Sequence, residues 1–148
     1  MLARQERSIL VLEDSDEDFD TVEEAARRAG IASRIHRATT GDACLALLQG
    51  DGKAQLRPAL LLLDLNTPGM DGRDTLVAIR ASPELRDLPV VVLSTSDDPR
   101  DLAHCRYHGA NAYHLKPVRY TEHLELLREV FSYWLMTVEL PGGSGSPP

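Results

Sequence analysis

Residues 59–69 read Ala59-Leu60-Leu61-Leu62-Leu63-Asp64-Leu65-Asn66-Thr67-Pro68-Gly69, and this stretch decides how the chain folds. Five consecutive apolar residues lead into one carboxylate, and Pro68-Gly69 then breaks the run. A short apolar run bounded by turn residues is typical of a strand that is buried on both faces of a parallel sheet. Asp64 is therefore expected at the carboxyl end of a central strand, where open α/β sheets bind their ligands.

The charge balance narrows the choice of partners. The 148 residues include 16 basic and 23 acidic side chains, a net charge of −7, with no block of lysine or arginine. This argues against nucleic acid or an anionic membrane as the main partner. No apolar run is long enough to cross a bilayer, and the polar start, Met1–Ser8, shows no secretory signal. Cys44 and Cys105 lie far apart in helix-like segments, which favours buried reduced thiols and a cytoplasmic location.

Strand-like and helix-like segments alternate along the whole chain. Besides the Asp64 strand, the pattern predicts strands at Ser8–Asp14, Ser33–Ala38, Leu88–Leu93 and Ala110–Leu115. Helices are expected from Ser15 to Gly30, from Thr40 or Asp42 to Leu48, from Asp71 to Ser82, from Asp97 or Asp98 to about His108, and from Tyr120 to Leu135. Such alternation predicts an α/β fold with a five-stranded parallel sheet and helices on both faces.

The last predicted helix has more apolar residues than packing on a sheet requires. One stripe consists of Leu124, Leu127, Phe131 and Trp134, and a second, on a neighbouring face, of Leu126, Val130 and Tyr133. The second stripe could be covered by the following residues, Met136–Leu140, or it could form a subunit interface. We favour the interface, because an exposed apolar patch usually marks a partner. The residues expected in it are Leu126, Val130, Tyr133 and Trp134.

Polar side chains follow four of the predicted strands. In a doubly wound sheet of order 2-1-3-4-5, the first and third strands are neighbours, which brings Glu13, Asp14 and Asp64 into one pocket. Such a group of hard oxygen ligands suits Mg²⁺. Lys116 adds a positive charge and Ser94 a hydroxyl. A carboxylate nucleophile, a metal ion and an ammonium group are the parts that a phosphoryl transfer needs.

With these residues, the chain resembles the receiver domain of two-component response regulators over residues 8–136. The resemblance rests on joint spacing: Glu13-Asp14 after the first strand, residues 63–72 (Leu63 to Gly72) after the third, Ser94 after the fourth, and Leu115-Lys116-Pro117 after the fifth. It implies a flavodoxin-like fold, with Asp64 as the phosphoacceptor that takes a phosphoryl group from a histidine kinase.

The resemblance also implies a set of magnesium ligands. Asp14 and Asp64 would bind the ion directly, Asn66 through its backbone carbonyl, and Glu13 through a water molecule. Many receivers have aspartate where this chain has Glu13, and the longer side chain could shift the water shell of the metal. The other acids of the first helix are interpreted as a solvated face: Asp16, Glu17, Asp18 and Asp20.

Three further roles follow from the same resemblance. Lys116 would pair with the phosphoryl group, and Ser94 would be the switch hydroxyl that moves toward it. Tyr113 would be the aromatic residue whose rotamer follows, and Lys116–Pro117 is expected to be a cis peptide. Thr95, next to Ser94, is larger than the residue of many receivers and could restrict water at the acyl phosphate.

A narrower resemblance concerns the C-terminal part of the chain. Residues 131–141, Phe131 to Pro141, together with Val92-Leu93-Ser94-Thr95-Ser96, are similar to single-domain regulators of bacterial phytochrome kinases. It implies a bacteriophytochrome as the kinase and a homodimer formed through the last helix and the segment after it. Residues 137–148 are then interpreted as an extension with a disordered tail and no output domain.

Three functions of different classes remain open from the sequence. The first is a phosphorylation-switched module that changes its protein contacts, or that relays or drains phosphate, with no enzymatic activity beyond its own phosphorylation and slow dephosphorylation. The second is a metal-dependent phosphohydrolase with an aspartyl nucleophile, in which Asn66 would occupy the position of the general acid and cannot donate the proton. The third is a receiver that no longer takes phosphate, which the complete set of Asp64, Asp14 and Lys116 argues against.

Overall fold

The sheet has the topology that the sequence predicts. The computed structural model describes residues 8–50 and 55–137. Its five strands are all parallel and lie in the order 2-1-3-4-5. The strands are β1 (Ser8–Leu12), β2 (Arg34–Ala38), β3 (Leu60–Asp64), β4 (Val90–Ser94) and β5 (Ala112–Leu115). The helices are α1 (Asp16–Arg28), α2 (Gly41–Gln49), α3 (Gly72–Ala81), α4 (Pro99–Tyr107) and α5 (Tyr120–Phe131), with a 3₁₀ turn at Pro83–Leu85 and a π-helical segment at Ser132–Thr137.

The three central strands are buried along their whole length, as expected for a sheet with helices on both faces. Alternate residues of β3 point to opposite faces. Leu61 and Leu63 pack with α2, α3 and Cys105 of α4, whereas Leu60 and Leu62 pack with α1 and α5. Each fully buried side chain of this kind stabilises the fold by about 1.5–3 kcal/mol. The sheet therefore separates two apolar cores and supports its strand ends rigidly.

The residues that cap α1 and α4 are among those that the sequence predicts as caps. The Ser15 hydroxyl accepts a hydrogen bond from the Asp18 N–H, 3.2 Å away, and begins α1. Asp98 caps α4 in the same way, with Pro99 in the first turn. Helix α4 buries only one residue, Cys105, which fits the small number of large apolar residues in its sequence. No helix among the described residues is both long and apolar enough to span a membrane.

Several details differ from the sequence-based expectations. Strand β1 ends at Leu12 rather than Asp14, and β4 covers Val90–Ser94 rather than Leu88–Leu93. Strand β5 begins at Ala112 rather than Ala110, because the Ala110 N–H donates to the Cys105 carbonyl and completes the turn after α4. The Lys116–Pro117 peptide bond is trans, so the expectation of a cis bond is wrong. The trans isomer is the one that prolyl peptides favour intrinsically, by about 0.5–1 kcal/mol.

Candidate functional site

Three carboxylates meet where β1 and β3 end. Asp64 is the last residue of β3, and Glu13 and Asp14 directly follow the neighbouring strand β1. One carboxylate oxygen of each residue lies within 4.8 Å of one of each of the others. Glu13 and Asp64 are buried, whereas Asp14 is exposed. The structure thus brings together the acids that the sequence assigns to one pocket, with one side open to solvent.

The loop after β3 is built closely around Asp64. The backbone N–H of Asn66 donates to Asp64 Oδ1 over 3.0 Å, and the Gly72 N–H donates to the Leu65 carbonyl over 3.0 Å. A Cβ atom on Gly72 would lie 2.2 Å from the carbonyl oxygen of Asp64 and 2.6 Å from Cα of Leu65. Only a glycine allows α3 to begin so close to the backbone of Asp64.

Lys116 supplies the positive charge of the site. Its Nζ lies 2.7 Å from Glu13 Oε1, 2.9 Å from Asp18 Oδ2 and 3.4 Å from Asp64 Oδ2. The lysine side chain is 7% exposed, so these ion pairs are largely shielded from water. The structure therefore adds Asp18 to the site, a residue that the sequence analysis interpreted as part of a solvated face. No spacing in the sequence distinguishes Asp18 from the other acids of the first helix.

Burial and ion pairing shift the protonation of this group. Burial raises the pKa of the Glu13 carboxyl from 4.5 to about 7, although the hydrogen bond and charge of Lys116 oppose this shift. Burial alone would lower the pKa of Lys116, but the hydrogen bond to Glu13 and the charge of Asp64 outweigh it, and the pKa is raised. Lys116 therefore stays charged at neutral pH.

The two residues assigned to the switch meet at Ser96 rather than at Asp64. The fully buried Ser94 accepts a hydrogen bond from the Ser96 N–H at its Oγ, over 3.0 Å. The Tyr113 hydroxyl donates to the Ser96 carbonyl over 2.8 Å. Thr95 is exposed between them. Ser96 thus connects the buried hydroxyl at the end of β4 with the aromatic ring on β5.

The donor atoms of the acidic pocket fit a divalent cation. Glu13, Asp14 and Asp64 offer carboxylate oxygens, which are the ligands that hard divalent ions prefer. Asp14 and Asp64 can bind directly at the open side, while the Glu13 carboxylate is occupied by Lys116 at Oε1 and by the Ser15 N–H at Oε2, 3.1 Å away. A cation at this point would offset the negative charge that the three acids share.

The residues predicted for an interface line one groove. The groove has a volume of about 540 Å³ and lies between β5 and the C-terminal half of α5. Val130 is 3% exposed and belongs to the apolar core of the chain, whereas Tyr133 is 47% exposed. The groove is lined by Leu126, Val130, Tyr133 and Trp134 together with Asn111, Ala112, His114 and Glu129.

Known proteins share this fold and this chain length. The family model of the response regulator receiver domain matches residues 9–128 of this sequence. The response regulator Rcp1 of a Synechocystis species is 36% identical over 135 residues, 90% of this chain and 92% of the relative. The solved structure of the phosphorylated cyanobacterial phytochrome response regulator RcpA has a TM-score of 0.86 at 31% identity and covers 92% of this chain and 99% of its own. That of the Mn²⁺-bound form of Rcp1 has a TM-score of 0.85 at 34% identity and covers 91% and 99%. This chain therefore belongs to the family of response regulator receiver domains.

Proposed function

We propose that Asp64 accepts a phosphoryl group from a histidine kinase and that the chain then changes its protein contacts. One observation carries this proposal. The carboxylates of Glu13, Asp14 and Asp64 lie within 4.8 Å of one another, and a buried lysine lies 3.4 Å from Asp64. A nucleophile, a cation site and a fixed ammonium group are thus concentrated at one edge of the sheet.

The transfer needs little covalent chemistry from the protein. A carboxylate oxygen of Asp64 forms a bond to phosphorus while the bond from phosphorus to the kinase histidine nitrogen breaks. The electron pair of that bond returns to the imidazole, which takes a proton. Meanwhile the Asn66 N–H holds Asp64 Oδ1, and Lys116 offsets negative charge on the phosphoryl oxygens.

We assign Mg²⁺ to the acidic pocket. Asp14 and Asp64 would hold the ion directly, Asn66 through its backbone carbonyl, and Glu13 through water. When bound, Mg²⁺ supplies the positive charge that lets a phosphoryl group approach three acids. The Mn²⁺-bound form of Rcp1 is a similar structure with a divalent ion, which supports this assignment.

The switch follows from bonds that must be exchanged. Lys116 has to leave Glu13 or Asp18 to reach a phosphoryl oxygen, and Ser94, whose Oγ accepts from the Ser96 N–H, would turn to donate its own hydroxyl proton there. Tyr113, which donates to the Ser96 carbonyl, would then change its rotamer. In this way a charge added to Asp64 alters the surface around α4 and β5.

We infer that the kinase is a bacteriophytochrome. The supporting observation is the likeness to RcpA, a cyanobacterial phytochrome response regulator, over almost the full length of both chains. A cytoplasmic location goes with such a partner, and the buried free thiols of Cys44 and Cys105 agree with it. A panel of histidine kinases tests this inference: a phytochrome kinase should label the protein fastest, with a rate that depends on light, and equal labelling by unrelated kinases would refute it.

We also propose a homodimer through α5 and the segment after it. Tyr133 and Trp134 are in edge-to-face contact, with ring centroids 5.1 Å apart, beside the β5 groove, and an aromatic residue that is about half exposed is typical of an interface. The receiver domain would span residues 8–136, and residues 138–148 of the extension lie outside the described part of the chain. Light scattering should show a dimer that Tyr133→Arg converts to a monomer; a dimer unchanged by this variant would exclude the groove as the interface.

A phosphate relay or sink uses the same chemistry and differs only in where the phosphoryl group goes next. A phosphohydrolase with an aspartyl nucleophile is less well supported, because Asn66 cannot protonate a leaving group. Labelling with acetyl phosphate and Mg²⁺ separates these functions. We expect one phosphoryl group per chain, lost in Asp64→Asn and kept in Asp87→Asn, an exposed acid elsewhere. Turnover of small phosphomonoesters would indicate the hydrolase instead, and absence of labelling in the unaltered protein would refute the proposal.

A further inference from the structure

Arg73 joins the loop after β3 to helix α4. Its Nε lies 2.6 Å from Asp101 Oδ1, and its Nη2 lies 2.8 Å from Asp101 Oδ2. The two side chains are 27% and 15% exposed. Two parallel charge-assisted hydrogen bonds between a guanidinium and a carboxylate form one of the strongest and most directional ion pairs in proteins. Arg73 belongs to α3 and Asp101 to α4, so this pair fixes the start of α4 to a neighbouring element.

The same guanidinium also reaches the loop that holds Asp64. Its Nη1 lies 3.4 Å from the Leu65 carbonyl, 3.4 Å from Asn66 Oδ1 and 3.2 Å from Asp71 Oδ2. These contacts are longer than those to Asp101 and therefore weaker. A change in the loop can thus alter them at small cost while the pair with Asp101 persists.

Asp101 continues the connection toward the end of β4. Its Oδ2 accepts a hydrogen bond from the Ser96 hydroxyl over 2.6 Å, and the Ser96 N–H donates to Ser94 Oγ. The hydrogen bonds from Arg73 and Ser96 lower the pKa of Asp101 to about 2, so the carboxylate stays charged at neutral pH. Contacts therefore run without a gap from Asp64 through Asn66, Arg73 and Asp101 to Ser96.

Helix α4 has few other contacts that fix its position, one of which is His104 Nε2, 3.4 Å from the backbone carbonyl oxygen of Arg73. Cys105 is its only buried residue, whereas Leu102 and Tyr107 are 38% and 84% exposed. A helix with so few buried apolar contacts is among the first elements of a fold to shift or open. The ion pair with Arg73 is thus a large part of what determines where α4 lies.

We propose that Arg73 is a positioning residue that transmits the state of Asp64 to helix α4 through Asn66 on one side and Asp101 on the other. This inference rests on the proposed phosphorylation of Asp64. The Asn66 N–H donates to Asp64 Oδ1, the carboxylate that changes on phosphorylation. The resulting movement of Asn66 alters its side-chain contact with Arg73, and the bidentate pair carries the displacement to Asp101. Contiguous contacts of this kind count as coupling only when a perturbation at one end is measured at the other.

Amide hydrogen exchange of the full chain tests the coupling. The exchange of residues 99–107 is measured with Mg²⁺ alone and with Mg²⁺ and beryllium fluoride, a stable mimic of a phosphoryl group. We expect a response of about fivefold in the exchange rates of α4, which is in the range of ordinary allosteric couplings. Arg73→Gln should remove most of this response. Arg73→Lys keeps the positive charge but cannot form two parallel hydrogen bonds with Asp101, so it should retain only part of the response. Arg100→Gln is the matched control, because Arg100 forms an exposed pair with Asp98 at the start of the same helix.

The outcomes separate coupling from a merely structural role. A structural role would raise the exchange of α4 in both states and leave the response to beryllium fluoride intact, which would overturn the proposal. If Arg73→Gln does not fold, Asp101→Asn interrupts the same chain of contacts and should give the same loss. Acetyl phosphate labelling of each variant is measured in parallel. If the variants are labelled and the response of α4 to beryllium fluoride is the same in both as in the parent protein, the coupling alone is refuted. If the parent protein itself is not labelled, the proposed function is refuted.

Discussion

Lys116 and Asp18 form an ion pair, with 2.9 Å between Nζ and Oδ2, that joins the end of β5 to the first turn of α1. Together with Glu13, at 2.7 Å, it holds the ammonium group closer to these two acids than to Asp64, at 3.4 Å. Lys116 is therefore shared among three acids before any phosphoryl group arrives. Glu13 and Asp18 thus compete with Asp64 for the lysine, and we expect this competition to slow the phosphorylation of Asp64.

Removing one competitor should speed phosphorylation. We expect Asp18→Asn to raise the rate constant for labelling by acetyl phosphate about three- to fivefold, since a partly exposed ion pair contributes up to about 1 kcal/mol. Asp20→Asn, an exposed acid on the same helix, controls for the general loss of negative charge. An unchanged rate in Asp18→Asn, or an equal rise in Asp20→Asn, would show that the pair with Lys116 does not matter.

The raised pKa of Glu13 predicts a pH dependence of stability. Burial raises the pKa from 4.5 to about 7, so the folded protein retains a proton that the unfolded chain releases. The stability that this proton contributes is complete below the unfolded pKa and is lost as the pH rises through the folded pKa. In EDTA, the free energy of unfolding of the unaltered protein should therefore fall between about pH 4.5 and about pH 7 relative to that of Glu13→Gln.

Urea unfolding at several pH values measures this difference. Glu17→Gln, an exposed acid in the first turn of α1, should keep the pH profile of the unaltered protein. Parallel profiles for Glu13→Gln and the unaltered protein would mean that Glu13 titrates alike in the folded and unfolded states.

Thr95 should prolong the life of the phosphoryl group. It follows Ser94 at the end of β4, and a smaller side chain there would admit water to the acyl phosphate more easily. We expect Thr95→Ala to shorten the half-life of phosphorylated protein roughly two- to tenfold, a change of up to about 1.4 kcal/mol in the barrier. Loss of label after removal of the phosphodonor measures it, and an equal half-life in both proteins would rule out this role.

Arg80 connects the end of α3 to the 3₁₀ turn that follows it and to the turn before β5. It donates to the carbonyls of Gly109, Leu85 and Arg86, each over 3.1 Å, and to Asn111 Oδ1 over 3.0 Å. Arg80→Ala removes all four hydrogen bonds, although Asn111 Oδ1 still accepts from the Val90 N–H and the Leu85 carbonyl from the Leu88 N–H. We expect it to lower the free energy of unfolding by about 2 kcal/mol. Arg86→Ala, at an exposed side chain, should change it by less than about 0.5 kcal/mol. Equal losses in the two variants would argue against a special role for Arg80.

The sequence predicts strand ends better than it predicts side chains that reach between elements. Asp14, Asp64 and Lys116 could be placed together because the carboxyl ends of parallel strands lie at one edge of the sheet, and the confirmed order 2-1-3-4-5 makes β1 and β3 neighbours. Asp18 could not be placed, because acids in a first turn are also favoured by the helix dipole. Which of four acids turns toward Lys116 depends on how α1 lies on the sheet.

The same distinction applies to the other helices. The bidentate pair of Arg73 with Asp101 joins residues 28 positions apart, and no local pattern indicates it. In α5 and the π-helical segment after it, periodicity identifies the apolar residues but not how wide a stripe the sheet covers, so Val130 and Tyr133 cannot be distinguished until these segments are placed.

The bare backbone at Gly72 has a consequence for judging which relatives of this protein are active. A single added methyl group there would collide with the main chain at Asp64 and displace the loop that presents the phosphoacceptor. Every acid, the lysine and the hydroxyl would still be present in the sequence. A comparison of the charged residues alone would classify such a chain as able to accept a phosphoryl group, although one added methyl group had displaced its phosphoacceptor.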